Sequence, residues 1–303
     1  MWNISLFRQK IIKKEPGILY SDTGPIRDEL YSGDQLIEHA KESASSFRID
    51  TRQGLDRLLP RLADNEIILL KTHKLLNKSF EENHPVAPAG EWLLDNFYLV
   101  EEQVRTARLH LPEKFSKELP HMANGPLEGY PRVYYIAREL IAHSDGRIDV
   151  NNLFNFIDAY QSVSPLLLGE LWAVPIMLRL ALIENLRRIS DIISSNKTDS
   201  ECADHYVDRM IEVARNEPKN LILVIADMAR SDPTLTTAFV AEMARRLQGR
   251  SGTLLFPLSW IEQMLTERNL TIELLINAET QAQAADQVSF GNSINSLRLL
   301  DTI

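Results

Sequence analysis

Residues 166–186 read LLLGELWAVPIMLRLALIENL, and how this run is interpreted decides the fold. It is the most apolar stretch of the chain. A membrane-spanning helix needs about 20 nearly uncharged residues. Glu170, Arg179 and Glu184 fall inside the run, and charges within a span are costly. A buried core helix is therefore expected, running from Pro165 to about Ser194. Pro175 should kink it, because a mid-helix proline removes one hydrogen bond and crowds the preceding turn.

Working outward, apolar residues recur at helical spacing almost everywhere. Asp34 is expected to cap a helix through Ser46. Pro60 fits the first turn of a second helix, whose apolar face (Leu62, Ile67, Leu69, Leu70, Leu75, Leu76) reaches Phe80. A third runs from Ala89 to Leu109 on Trp92, Leu93, Phe97, Val100 and Val104. Prolines and glycines between Pro112 and Pro131 mark a long loop. Helices resume over 132–143 and 150–162, joined by a turn at Asp145-Gly146. Polar residues 196–200 are expected to end the long helix. Short helices follow, bounded by Pro218, Asp232-Pro233, residues 249–252 and Asn269, with Asp232 as N-cap and Pro233 at the first helical position.

The expected architecture is all-α: an irregular multi-helix bundle followed by short paired helices, solenoid-like. Residues 1–33 are expected as an irregular arm, 34–196 as the bundle subdomain and 197–303 as the short-helix subdomain. An amphipathic helix from Asn292 to Ile303 stops without a cap, as in a chain cut inside a longer protein.

Composition agrees with helices. Gly is scarce at 12 of 303 residues, and aromatics make up 7%. A net charge of −9 argues against nucleic acid as a partner, since that binding neutralises phosphates with a basic face. Cys202 is the only cysteine, which excludes a disulfide within the chain and fits a small, half-buried helix residue in a reducing compartment. Residues 1–14 lack the apolar core of a signal peptide.

The candidate chemistry consists of polar groups embedded in helices. Glu91, Asp95 and Glu102 fall near one helix face, where paired carboxylates could work on a sugar or form a solvated face. Glu170, Arg179 and Glu184, with Arg132, are candidates for a structural polar network, since a buried charge must be paired. Glu91 or Asp95 could partner Arg179 across helices, and Arg179→Ala is expected to cost roughly 3–5 kcal/mol if Arg179 is buried and paired. No two of the seven histidines have the i, i+4 spacing of a helical zinc site, so no metal site is expected. A Gly-rich phosphate loop, a Gly-x-Ser-x-Gly elbow and an Asp-x-Asp pair are all missing from the sequence, and no catalytic residue is assigned.

Four local strings are more particular. They are residues 88–103 (PAGEWLLDNFYLVEEQ), 125–134 (GPLEGYPRVY), 169–173 with 182–188 (GELWA and LIENLRR), and 291–298 (GNSINSLR). Together they resemble the N-terminal region of bacterial cyclic β-1,2-glucan synthases, over about residues 25–303. The resemblance implies a large inner-membrane enzyme that transfers glucose from UDP-glucose, builds a β-1,2-glucan and cyclises it. UDP-glucose and a divalent metal are implied for other parts of that enzyme, with none for this chain. The motifs of the transferase are not in this sequence, so no catalytic position carries over. The chain itself is expected to be cytoplasmic, and inner-membrane associated as part of the parent enzyme.

Three functions follow as expectations. The first is a non-catalytic scaffold that docks on other modules of the same synthase. The second is a carbohydrate-binding domain guiding β-1,2-glucan, with Trp92, Tyr130, Tyr134 and Trp172 as ring contacts and Tyr98, Tyr135 and Tyr160 as further candidates. The third is an independent acid–base enzyme using Glu91, Asp95 or Glu170.

Overall fold

A computed structural model describes residues 24–112, 114–231, 235–249, 252–266 and 269–302. Most of the expected N-terminal arm, the Asp232-Pro233 cap and Ile303 lie outside the described residues. Eleven α-helices make up almost all regular structure among them. In chain order these are α1 (Gly33–Ser46), α2 (Leu58–Glu81), α3 (Pro88–His110), α4 (Phe115–Glu118), α5 (Arg132–Ala142), α6 (Val150–Val163), α7 (Leu168–Asn216), α8 (Leu221–Ser231), α9 (Thr237–Leu247), α10 (Leu255–Thr266) and α11 (Ile272–Leu300). The all-α expectation holds. Inside the loop expected from Pro112 to Pro131 lie α4 and one strand of a small antiparallel pair, β1 (Ile49–Asp50) with β2 (His121–Met122), in which Ile49 faces Met122.

Residues 24–192 and 285–302 belong to one compact unit, and 193–284 to the other. The divisions fall inside α7 and inside α11, so both long helices contribute to both units.

In the first unit α2 shows why these residues form a helix pair. Its buried positions, Leu58, Leu62, Asn65, Leu69, Thr72, Leu76 and Ser79, alternate steps of three and four, the spacing of a single packing seam. The leucines supply apolar area. The small polar members let the α7 backbone approach, and Thr72 donates to the Ser190 carbonyl oxygen at 3.3 Å. Next along the chain, α3 packs on α2 through Leu93, Phe97, Val100, Val104 and Ala107, all buried. Ser32, not Asp34, caps α1. The Ser32 hydroxyl accepts from Gln35 N, and the Gln35 side chain accepts from Ser32 N at 2.8 Å, a reciprocal arrangement that satisfies two orphan donors.

The helix expected to end near Ser194 continues without interruption for 49 residues. Residues 196–200 contain no Gly or Pro, and their polarity is used in place rather than ending the helix. Asn196 donates to Glu279 at 3.2 Å, and Asp199 accepts from Thr236 at 2.8 Å. The last helix likewise starts at Ile272 rather than Asn292. Helix propensity is a weak prior that tertiary contacts override.

The second unit, residues 193–284, has its own apolar core. Ala203, Val207 and Met210 of α7 meet Val224 and Met228 of α8, Phe239, Val240, Met243 and Leu247 of α9, and Ile261 and Leu265 of α10. Cys202 sits partly buried against it, where burial pushes its thiol up.

In the first unit the end of α11 is held by serines. Asn185 of α7 donates to Ser289 and Ser293 at 3.2 and 3.1 Å, while its oxygen accepts from Ile26 N at 2.7 Å. Ser296 accepts from Ile148 N and donates to the Gly146 carbonyl oxygen, both at 2.8 Å. Gly146 has φ +76°, and a Cβ there would lie 2.5 Å from Ser293 Oγ. Gly146→Ala is expected to lower the unfolding free energy by about 2–4 kcal/mol, combining a left-handed backbone cost with overpacking. Gly249→Ala has a similar φ of +75° and nothing within 4 Å of its added Cβ, so it should cost only about 1–2 kcal/mol. Chemical denaturation of both variants checks this, and equal losses would show that the serine yields freely.

Candidate functional site

The polar interior of the first unit is built around carboxylates on α7. Glu184 is 1% exposed and accepts from three guanidinium groups. Arg61 of α2 forks onto it at 2.7 and 2.9 Å, Arg187 bonds at 2.6 Å and Arg188 at 2.7 Å. Arg187 and Arg188 reach back one turn from i+3 and i+4, the spacing at which helical side chains meet. Arg61 comes from the far side of the α2 seam. Burial pushes the Glu184 carboxyl up, but the hydrogen bonds of Arg61 and the charges of Arg188, Arg187 and Arg61 outweigh it. The net effect holds Glu184 well below the ordinary carboxylate range.

A second pair lies at the start of α7. Glu170, fully buried, takes both arms of Arg132, at 2.8 Å on one oxygen and 2.5 Å on the other. Glu170 also accepts from Leu167 N at 2.9 Å, so the carboxylate serves the helix N-terminus, where negative charge is favoured. The remaining donors of Arg132 go to Ser164 Oγ and the Pro165 carbonyl oxygen, at 2.8 and 3.1 Å.

Arg179 is buried, but its partners differ from those expected. It donates to Gln103 of α3 and, at 2.9 Å, to Asp301. Gln103 in turn donates to Asp301 at 2.7 Å. Glu91, Asp95 and Glu102 lie on the exposed side of α3, because the apolar stripe of that helix turns the opposite face inward.

The aromatic candidates divide by burial. Tyr134 is 3% exposed and stacks on Tyr130 with ring centroids 5.6 Å apart, and the Arg57 guanidinium lies 5.7 Å over the Tyr130 ring. Burial, then the charge of Glu184, drives the Tyr134 hydroxyl far up. Tyr160 is buried as well, and burial pushes its hydroxyl up to about 12. Tyr135 is buried and donates to Ser43 at 3.2 Å. Trp172 at 75%, Tyr98 at 61% and Trp92 at 37% are exposed. Only exposed rings have a face to offer a sugar.

Chemically, Glu184 is a carboxylate fixed in its ionised form by guanidinium groups, whereas a general acid or base needs a pKa near the working pH. The arrangement is a clamp between helices. Among the described residues, a different trio, His39, Glu139 and His143, brings three possible metal-ligand atoms within 4.8 Å of one another. Its two histidines lie far apart in the sequence, so no histidine spacing marks it. The Glu139 and His143 spacing of i, i+4 was the signal available.

Fold and site together define an all-α packing module whose interior charges are used to join helices. No protein-family model matches the chain. The chain is similar to the cyclic beta-(1,2)-glucan synthase NdvB of Rhizobium meliloti (strain 1021), at 29% identity over 242 residues. The match takes in 80% of this chain and 8% of that protein. The resemblance to the N-terminal region of such a synthase therefore holds, and it is to a fragment of a far longer protein.

Removing Glu184 leaves three guanidinium groups facing one another. Glu184→Ala is expected to cost about 3–5 kcal/mol. Arg179→Ala should cost less than its sequence suggested, about 1–3 kcal/mol, because the Asp301 side chain is 43% exposed and regains water. Denaturant titrations give both values. The Glu184 carboxyl binds protons more weakly folded than unfolded, so its stabilisation is present above the unfolded carboxylate range. It fades as pH falls through about 4 and below. Glu184→Gln should flatten the acid limb of a stability–pH profile, and an unchanged limb would show that Glu184 does not set it.

Proposed function

We propose that this chain is a non-catalytic helical domain of a cyclic β-1,2-glucan synthase, acting as a scaffold on which other modules of the same enzyme dock. The observation that carries this reading is the similarity of 80% of the chain to an 8% share of NdvB. In this proposal glucosyl transfer from UDP-glucose, with its divalent metal, belongs to other modules, and so does attachment to the inner membrane. No helix among the described residues is long and apolar enough to cross a membrane.

Two further features support docking. The buried charges are engaged with one another inside the first unit. At the same time Leu167, Leu168 and Trp172 are 58%, 63% and 75% exposed, with Leu168 and Trp172 four residues apart on one helix face. This exposed apolar group supports a docking surface there, and tryptophan is among the side chains enriched where binding energy concentrates. The occupant proposed is the remainder of the synthase.

A second reading is favoured by the same exposed ring. Trp172, with Trp92, could stack on glucose faces of a β-1,2-glucan. Two measurements separate the readings. Sedimentation of the purified chain with the transferase module should give a complex, weakened at least tenfold by the Leu168→Asp, Trp172→Asp pair at an unchanged melting temperature. Calorimetric titration with linear β-1,2-glucan oligosaccharides should give no heat. Heat that disappears in Trp172→Ala, together with no complex, would replace the scaffold by a glucan guide.

A further inference from the structure

At the C-terminal end of α5 two histidines and a carboxylate converge. Glu139 lies one turn before His143, the C-cap of α5, and His39 comes across from α1. His39 Nε2 is 2.8 Å from Glu139 Oε2, and His143 Nε2 is 3.9 Å from that same oxygen. The His143 and Glu139 side chains are 3% and 6% exposed, and His39 is 20% exposed, so the group is buried with one side open.

The His143 ring is held in place from behind. Asp28 N and Tyr31 N donate to the carbonyl oxygens of Ala142 and His143, at 2.9 and 3.1 Å. This binds the 28–31 segment to the helix end and brings the Glu29 carbonyl oxygen 2.7 Å from His143 Nδ1. A carbonyl oxygen only accepts, so Nδ1 carries the proton. In the neutral ring Nε2 then presents its lone pair towards the Glu139 carboxylate. Tyr31 lies flat on the His143 ring with centroids 4.0 Å apart and planes 5° from parallel, and His39 meets His143 edge-on at 4.4 Å. His39 Nε2, which also lies 3.4 Å from Ser43 Oγ, meets the same carboxylate oxygen, so two imidazole nitrogens and a carboxylate oxygen converge on one point. A histidine fixed by an Nδ1–H bond to a backbone carbonyl, with Nε2 pointing inward, is the usual outer-shell arrangement of a metal-bound imidazole.

We propose that His39, Glu139 and His143 form a binding site for one divalent first-row transition ion, with zinc as the ion the donor set favours. Two imidazoles and one carboxylate are a known three-ligand zinc set that keeps a fourth position for water, here on the His39 side. Imidazole donors disfavour magnesium and calcium, which take oxygen. In tetrahedral zinc the ligand atoms stand roughly 3.3 Å apart, so separations of 2.8 and 3.9 Å and at most 4.8 Å require only side-chain adjustment. Binding releases any proton held between His39 and Glu139 to solvent, which balances the exchange. The ion would clip α1 to α5.

The full chain, stripped with EDTA and dialysed, is titrated with zinc chloride by calorimetry and with cobalt chloride by visible absorption. One equivalent of zinc should bind and raise the melting temperature, cobalt should give the intense bands of a four-coordinate site, and magnesium should do neither. His39→Ala, at a partly exposed helix position, should fold and weaken zinc binding at least about 100-fold. Glu139→Gln keeps the size of the side chain and should also weaken it. Absence of stoichiometric zinc binding overturns the proposal, and so does binding that both variants leave unchanged.

Discussion

Glu184 and the three arginines around it set the geometry of the larger unit. Taking a carboxylate and guanidinium groups out of water costs several kcal/mol per ion before any attraction is counted. Only one arrangement recovers that cost, with Arg61, Arg187 and Arg188 all on the two carboxylate oxygens. A slide of α2 along α7 by one turn would move Arg61 by about 5.4 Å and take it off the Glu184 carboxylate, leaving only Arg187 and Arg188 there. Leucine on leucine does not discriminate so sharply, because the α2 seam repeats every seven residues through Leu62, Leu69 and Leu76. The buried Arg61–Glu184 fork therefore favours one register of α2 against α7.

The four strings that carry the resemblance to the glucan synthase are, to a large extent, partners of one another or of the same α7 groups. Arg132 in the second reaches Glu170 in the third. Asn185 in the third reaches Ser293 in the fourth. Gln103, the last residue of the first, meets Arg179 of α7. Segments far apart in sequence share particular side chains because each buried polar group needs a matched partner at hydrogen-bonding distance. In this chain the four strings are thus joined by buried polar contacts.

Helix existence was legible from the chain, because apolar spacing reports the buried face directly: Leu93, Phe97, Val100 and Val104 are buried as their spacing requires. Helix ends were less legible. Residues 196–200 read as a break because they are polar, yet Asn196 and Asp199 are used by Glu279 and Thr236, neighbours that lie far along the chain. Among the charges, interruption of an apolar run suggested that at least one of Glu170 and Arg179 faces the core; both are buried, and so is Glu184. It said nothing of their partners. Arg179 meets Gln103 and Asp301 rather than Glu91 or Asp95 because the face of α3 that turns inward is fixed by its leucine, phenylalanine and valines. Asp301 lies in the chain's last few residues, where periodicity offers no guide.

The same limit separates the two polar groupings in this unit. The Glu184 cluster is half local, since Arg187 and Arg188 are within one turn of it, and a reader of the sequence can suspect it. The trio of His39, Glu139 and His143 is joined by a contact 100 residues long in sequence, and its orientation is set by backbone at Asp28 to Tyr31 that carries no motif. One grouping neutralises its charge with arginine, which cannot give up its proton. The other uses imidazole, whose lone pair becomes available when a proton leaves. The arginine cluster joins its helices through fixed charges, whereas the imidazole cluster, in the proposed site, would exchange a proton for an ion, and the attachment of α1 would depend on that exchange.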